Sequence, residues 1–426
     1  MPSTSSDPRP AREPAVSPAD PPPGKLPSAS LGGLGPLLTV VSFSWIFPVV
    51  ASITLIQAQL EDMDNSSKIF RFALLSGTGA LVGMFANIVF GAWSDRTRSR
   101  FGRRNPWIVG GGAVAAVSLS ALSFVHSFPA MMVCYLLFQA SLNAFLAPWT
   151  AVIPDRVARS NLGKASTCVG LGQLLGQSLG GVAAGAFLAS PSTGLRWLPA
   201  VLLVGVLFFA VRAPDRPNSD TPREPLSVRR LAKLMMPPKD ADFGWALAGR
   251  LLTMLGFQCA MVYQLFLLTD HIGIDEGDTG RIVSAGGIVV ALTSAAAVAL
   301  AGPLSDRLGR RRVFVAGAGL LIAVAMIPLA VFPQLWAFFA LLAVSGFGFG
   351  AYVAVDQALM AEVLPNQENS AKDLGILNVA NTVPQVLAPV LAGVALPLVG
   401  YPGLLVLAVG ISVLGALCIA PIRRVR

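Results

Sequence analysis

The sequence predicts an all-α polytopic membrane protein with twelve transmembrane helices in two six-helix, pseudo-symmetric halves. Hydrophobic residues make up 54 % of the 426 residues and charged residues only 12 %. The mean hydropathy of +0.67 is too high for a soluble globular protein, whose surface needs more charge. Apolar stretches of about 20 residues recur along the chain, as membrane-spanning helices require, whereas a membrane β-barrel shows alternating runs of about ten.

The apolar stretches divide the chain into domains. The predicted spans are 35–60, 69–92, 107–127, 129–153, 165–189, 196–213, 242–270, 281–302, 313–332, 335–361, 374–398 and 401–421. We therefore expect a disordered N-terminal tail (1–30), a first half (31–213), a polar linker (214–241), a second half (242–421) and a short tail (422–426). The first 30 residues contain nine prolines, a composition that buries too little apolar surface to fold.

Basic residues are concentrated in the loops and tails on one side of the membrane. With both termini in the cytoplasm, 26 of the 31 Lys and Arg residues fall in cytoplasmic loops and tails, as the positive-inside rule requires. This asymmetry explains the net charge of +9 without a nucleic-acid partner. The excess of Arg over Lys is typical of a GC-rich bacterial genome, so we expect a bacterial plasma (inner) membrane.

A repeated loop motif supports the two-half arrangement. The stretch "GAWSDRTRSRFGRR" (91–104) and the stretch "GPLSDRLGRR" (302–311) share their Gly, Asp-Arg and Gly-Arg-Arg elements. Gly and Asp align at an offset of 211 residues, and Pro154 aligns with Pro365 at the same offset. Internal repeats of this kind are typical of secondary transporters.

The repeated loops resemble the motif of the major facilitator superfamily, Gly-x-x-x-Asp-Arg-x-Gly-Arg-Arg/Lys, and the resemblance spans the whole membrane region. It implies a gate on the cytoplasmic side, in which glycines allow close helix packing, aspartates cap helices of the opposite half, and arginines pair with acids that end segments 4 and 10. The gate candidates are Gly91, Asp95, Arg96, Arg103, Arg104, Asp155, Gly302, Asp306, Arg307, Arg310, Arg311 and Glu362. The alternative is that the loops are solvated charge that serves topology alone.

The first loop, with its four-residue insert after Asp-Arg, resembles the corresponding loop of the glycoside– and sucrose–proton symporters. In that group segment 4 carries an acid, followed by Asn, Pro and Asp at fixed spacing. This chain has Gln139 in place of the acid, then Asn143, Pro148 and Asp155. Because an amide does not titrate, proton coupling has either moved to another residue or is absent.

Asp356 in segment 10 is the carboxylate that the sequence buries most deeply. It lies nine residues before Pro365, and an ionisable residue at that depth is a functional candidate by default. Two roles remain open: Asp356 carries the coupled proton, or it joins the gate network with Glu362 and the arginines.

Amide and aromatic side chains on helical faces are the candidates for substrate binding. Amides donate to and accept from hydroxyls, and indole rings pack on the apolar faces of sugars, which suits a polyhydroxylated neutral substrate. The alternative is hydrogen bonding between helices. The candidates are Trp45, Asn87, Gln139, Asn143, Trp149, Gln173, Gln177, Gln258, Tyr263, Tyr352, Asn378, Asn381 and Gln385.

The function that follows is a secondary active transporter working by alternating access, with proton-coupled movement of a sugar or glycoside as the first hypothesis. The stretch "GQLLGQSLGG" (172–181) resembles a segment-5 motif of exporters. The second hypothesis is therefore a proton antiporter that exports a drug-like or secondary metabolite. We expect a monomer without cofactor or metal, energised by the proton gradient, and no enzymatic activity, since the sequence shows no nucleophile–base or metal-ligand pattern.

Overall fold

The computed structural model describes residues 33–157, 161–215, 240–363 and 370–422, and within them the side chains of 361–382, among a few others, are not described. The predicted N-terminal tail and most of the predicted linker lie outside these ranges. The described chain is helical throughout and contains no strand, which confirms the predicted all-α membrane class.

Six helical units form the first half. Proline occupies the first turn of α3, α4 and α6, where its missing N–H leaves no intrahelical bond unmade. The units are α1 (Leu34–Met63), α2 (Lys68–Arg96), α3 (Asn105–Ala121, extended by a 3₁₀ turn Leu122–Phe124), α4 (Phe128–Arg156), α5 (Leu162–Ala186) and α6 (Pro191–Arg212).

Six further units form the second half. Asp240 caps α7 by accepting a 3.0 Å hydrogen bond from the Phe243 amide, and Gly309 ends α8 in the left-handed conformation (φ 59°), as helix termini commonly do. The units are α7 (Ala241–Met261, continued by Gln264–Ile272), α8 (Glu276–Leu308), α9 (Arg311–Val331), α10 (Leu335–Val363), α11 (370–399) and α12 (401–418). Non-helical Gly400 separates the last two.

Length and hydropathy identify nine of the described stretches as candidate membrane spans, or ten when the broken α7 counts as one. Helix α5 is not among them, and Val383–Cys418 combines parts of α11 and α12 in one stretch.

Helix α7 departs from the sequence prediction of one continuous helix over 242–270. It bends by 47° between Met261 and Gln264, and its last turn, Leu267–Ile272, is a π-helix. At the break the Val262 carbonyl accepts a hydrogen bond from Nε2 of Gln57 in α1. Side chains that bond the backbone in this way are a recognised cause of helix breaks.

The two halves meet where α5 packs on α8 and where α2 packs on α11. Gly181 faces Gly287, and a Cβ added to Gly185 would overlap the Gly280 carbonyl, so these backbones touch directly. We call the end of the molecule that carries the loops 97–104 and 309–310 the basic end, and the end that carries the loops 64–67 and 273–275 the far end. The glycine contacts lie toward the far end.

Candidate functional site

At the basic end, the first motif loop folds around the buried guanidinium of Arg104. Its Nη2 lies 2.7 Å from Asp95 Oδ1 and its Nε lies 3.0 Å from Asp155 Oδ2. Asp155 also pairs with Arg103 at 2.8 Å. All four residues belong to the first half, so the predicted pairing of the loop arginines with the acid that ends α4 is present in the structure.

The start of the linker completes this cluster through Asp215, which the sequence did not single out. Asp215 accepts from the Arg104 backbone N–H (3.0 Å) and forms an ion pair with Arg156 (3.2 Å). Burial lowers the pKa of Arg156, while Asp215 and Asp155 oppose that shift. Gly102 (φ 80°) lies against the Asp215 side chain, which explains why glycine is needed at this point of the loop.

The gate residues make other contacts in this conformation. Asp95 pairs with Arg104, nine residues on, because the loop folds back on itself. Capping of α11 by Asp95 stays a prediction, since residues 364–369, just before α11, lie outside the described part of the structure. Gly91 contacts Ala147 of α4, in its own half, at ordinary van der Waals distance, and Gly302 has open space beside it. Among the described residues, therefore, neither glycine marks the close helix approach that was expected of it.

The second motif copy is more open than the first. In the second copy Arg307 and Arg310 are exposed and Arg311 is half-buried. In the first copy Arg96 is half-buried. The side chains of Asp306, Glu362, Asn378 and Asn381 lie outside the described part of the structure.

Midway along the first half, a ladder of uncharged polar groups runs between α2 and α4. Gln139 donates to the Tyr135 hydroxyl (3.0 Å), Asn143 donates to the Gln139 carbonyl (3.0 Å), and Asn87 of α2 donates to Oδ1 of Asn143 (3.2 Å). Gly83 of α2 lies against the Asn143 amide, so a larger side chain there would displace it. Three of the predicted amides are thus brought together.

Two more predicted amides lie on α5. Gln173 and Gln177 are exposed and continue the i, i+4 ridge that packs on α8 through Gly181 and Gly185. They therefore lie on the side of α5 that turns toward the second half.

The remaining candidates are scattered. Trp149 is buried against Phe145 and Phe209 inside the first half (centroids 6.2 and 5.3 Å), so its depth in the helix reflects core packing rather than contact with a cavity between the halves. Trp45 and Gln258 are half-buried and Gln385 is exposed. The indole N–H of Trp45 is buried and has no hydrogen-bond partner among the described residues.

Asp356 pairs with a residue that the sequence reasoning missed, Arg250 of α7. Nη1 of Arg250 lies 2.8 Å from Oδ2, and the two side chains are only 6 % and 3 % exposed. Tyr352, one turn earlier, is buried and interacts electrostatically with Asp356 without reaching hydrogen-bond geometry. Next to this pair, Phe257 of α7 stacks on Phe349 of α10 at 4.7 Å, so α7 and α10 are joined by both contacts.

At the far end, an ion cluster joins the two halves. Lys68, at the start of α2, is 4 % exposed; its Nζ lies 2.5 Å from Glu61 of α1 and 2.6 Å from Asp270 of the second half. Asp270 also accepts from the hydroxyls of Tyr401 (2.7 Å) and Thr269 (3.1 Å). We call Glu61, Lys68, Asp270 and Tyr401 the latch.

Aromatic packing lies beside the latch. Tyr263 and Phe266 of α7 meet Phe72 of α2 edge to face, at centroid distances of 5.3 and 6.3 Å. The Tyr263 hydroxyl donates to the Pro389 carbonyl (3.0 Å). Tyr263 is therefore part of the far-end closure, not a free lining residue as the sequence suggested.

The described hydrogen bonds and ion pairs that join the halves lie toward the far end: Gln57 to Val262, Ser284 to Val182, and Lys68 to Asp270. Two helical half-bundles that contact each other toward one end are an architecture typical of membrane transporters. The chain belongs to the major facilitator superfamily: the family model matches residues 32–289 and 246–426.

Solved structures share the fold at low sequence identity. A bacterial homologue of the human lysosomal transporter Spinster, in an inward-facing and occupied conformation, is 15 % identical with a TM-score of 0.68, covering 91 % of this chain and 96 % of that one. The nucleoside transporter NupG is 14 % identical with a TM-score of 0.69, covering 91 % and 99 %. A POT family transporter in complex with a thioalcohol-conjugated peptide is 11 % identical with a TM-score of 0.71, covering 92 % and 96 %. No curated protein matches the chain.

Proposed function

We propose that this transporter moves a polar, uncharged substrate of the sugar or glycoside class by proton-coupled alternating access. The ladder of Tyr135, Gln139, Asn143 and Asn87 carries this proposal, because it presents hydroxyl and amide groups and no charge. Such groups bind sugar hydroxyls as donors and acceptors.

The exposed amides Asn87, Gln173 and Gln177 support the same substrate class. An amide that faced lipid would lose its hydrogen bonds to water without replacement. We therefore place these side chains toward a water-filled crevice between the halves, open at the basic end. By the positive-inside rule the basic end is cytoplasmic, so the conformation is inward-facing and the far end is outer. The membrane we propose is a bacterial plasma membrane.

For proton coupling we propose the Arg250–Asp356 pair rather than Asp356 alone. A neighbouring guanidinium favours the ionised carboxylate, so proton binding to Asp356 has to release Arg250. Release would loosen the contact between α7 and α10, two helices of the same half. Protonation would thus change the packing inside the second half, while the substrate binds to the ladder of the first half; both would bias the same rearrangement of the two halves, which is what coupling requires.

The test is uptake of labelled disaccharides into proteoliposomes with an imposed inward proton gradient. We expect accumulation above equilibrium for the wild type. Asp356→Asn should lose accumulation but keep exchange of labelled for unlabelled sugar, because the amide still occupies the site without titrating. Asp278→Asn, which changes an exposed carboxylate on α8, is the matched control and should accumulate like the wild type.

Export of a drug-like metabolite is the alternative, and the glycine stripe of α5 favours it. Gly172, Gly176 and Gly180 all pack against α1, close to backbone carbonyls, as an exporter-like motif requires. Absence of sugar uptake by the wild type, together with raised cellular tolerance to toxic compounds, would favour export and contradict the sugar proposal.

A further inference from the structure

The first motif loop carries more positive charge than its described acidic partners balance. Residues 95–104 contain five arginines and one aspartate. The described acids that pair with this cluster are Asp95, Asp155 and Asp215, and Arg156 adds a sixth guanidinium. Among the described residues, six arginines therefore meet three carboxylates, and the excess positive charge remains at the surface of the basic end.

A lipid-facing stripe of α2 ends beside this loop. Phe85, Val89 and Trp93 are exposed and spaced i, i+4, i+8, so they lie on one apolar face. Asn87 lies on the roughly opposite face of the same helix, since an α-helix has 3.6 residues per turn. Exposed apolar side chains of a membrane span face lipid, and tryptophan concentrates where the hydrocarbon meets the headgroups. Trp93 therefore places the loop that follows it at the headgroup level.

Hydrogen bonds fix the loop at this level. The extra residues of the first motif copy lie within 97–101, which we call the insert segment. The Trp107 ring of α3 lies 6.0 Å from the Trp93 ring between centroids. Its indole N–H donates to the Thr97 hydroxyl (2.6 Å), and that hydroxyl donates to the Trp93 carbonyl (2.8 Å). The insert segment is thus tied to the edge of the lipid-facing surface.

Two arginines of the insert segment supply positive charge at this edge. Nη1 of Arg98 donates to the carbonyls of Asp95 (3.1 Å) and Thr97 (3.2 Å), which position the guanidinium without neutralising its charge. Arg100 is exposed and lies over the exposed Phe101 ring, 4.7 Å from its centroid. A guanidinium presents a planar fork of donors that matches the oxygens of a phosphate.

We propose that the insert segment binds the headgroup of an anionic phospholipid, with Arg98 and Arg100 on the phosphate and Trp93 and Trp107 at the boundary with the acyl chains. Basic residues directly beside a membrane span attract anionic lipids. The second motif copy is the internal comparison, because 302–312 contains arginines but neither the extra residues nor a tryptophan. The inference rests on the membrane fold and on neither the substrate nor the coupled proton.

The experiment titrates the purified full-length protein in detergent with phosphatidylglycerol and, separately, with phosphatidylcholine, and measures bound lipid by native mass spectrometry. We expect the wild type to bind phosphatidylglycerol more tightly. This preference should fall roughly fivefold for each arginine removed, and on the order of twentyfold in the double variant Arg98→Gln/Arg100→Gln.

Two further variants separate the loop from charge in general. Arg98→Lys/Arg100→Lys keeps both cations and should keep the preference within about twofold. Arg281→Gln removes an exposed arginine at the far end, so it is the matched control and should bind both lipids like the wild type. The proposal is overturned if the double glutamine variant keeps the preference, or if Arg281→Gln loses as much of it.

A second measurement locates the lipid in a bilayer and uses the wild-type chain alone. Phosphatidylglycerol with a photoreactive headgroup, in vesicles that contain an equal part of phosphatidylcholine, should cross-link within 93–107. Cross-links at 302–312 and none at 93–107 would contradict the proposal. Inorganic phosphate added at constant ionic strength should leave the cross-linking unchanged. Displacement by phosphate would show that the loop binds the free anion rather than a lipid, and would overturn the proposal as well.

Discussion

The two ends of the molecule each hold a buried cation between two carboxylates, but the carboxylates come from different places. At the far end Lys68 binds Glu61 of its own half and Asp270 of the other. At the basic end Arg104 binds Asp95 and Asp155, both of its own half. The same ion-pair chemistry therefore joins the halves at one end and organises a single half at the other.

The difference also concerns burial of the acids. Glu61, Asp270 and Asp155 are similarly buried, at 23 %, 28 % and 26 % exposed, whereas Asp95 at the basic end is 58 % exposed. Less water around the pair makes each contact stronger and its loss more costly. We therefore expect substitutions in the far-end cluster to lower stability more than substitutions in the basic-end cluster.

The largest effect should come from Lys68→Met. Removing the cation leaves two carboxylates close together without compensation, which should cost about 2–4 kcal/mol of the closed conformation. The far end should open and transport should fall. Loss of thermal stability and longer distances between labels at residues 65 and 277 are the two measurements.

Arg104→Met should have a smaller effect of a different kind. One of its two partner acids, Asp95, is mostly in water, so we expect about 1–2 kcal/mol of lost stability. The distance across the far end should stay as in the wild type, because Arg104 bonds within its own half. A far-end change as large as that of Lys68→Met would contradict the comparison.

Two acids at the basic end allow a finer test. Asp155 binds both Arg103 and Arg104, while Asp95, in the described ion pairs, binds Arg104 and is mostly in water. Asp95→Asn should therefore cost less than about 1 kcal/mol, and Asp155→Asn should cost more. Equal melting temperatures for the two variants would contradict the prediction that Asp155 contributes more to stability than Asp95.

The smallest effect concerns Asp64 beside the latch. Hydrogen bonds from Ser66 and Ser67 lower its pKa from 3.8 to about 2. Its contribution to stability is present above pH 3.8 and is lost as the pH falls toward 2. The difference in melting temperature between wild type and Asp64→Asn should stay constant from pH 7 to about pH 4 and shrink below that.

The helical fold and its repeat were predictable because apolar length and motif spacing are local properties of a sequence. The cluster of Arg103, Arg104 and Asp155 was predictable for the same reason, since these residues lie in a loop and at the adjacent helix end. The break in α7 was missed, because "FQCAMVYQLF" reads as a continuous apolar helix and the Gln57 contact comes from another helix.

The partners across helices were not predictable. Arg250 lies in a span that the sequence marks only as apolar, and its relation to Asp356 depends on how α7 and α10 face each other. Lys68, Glu61 and Asp270 look like ordinary charges at helix ends, a pattern that also serves solubility and topology. A lysine that follows a run of acids at the start of a span is a local signal, but it does not identify Asp270 as the partner.

The central claim is that closure of the far end and opening of the basic end are two aspects of one motion. It is tested most directly by two distances measured in matched samples, one between labels at residues 65 and 277, the other between labels at the exposed positions Phe101 and Leu308. In Lys68→Met the first distance should lengthen and the second should shorten. Lengthening at both ends, or a change at the far end alone, would contradict the account.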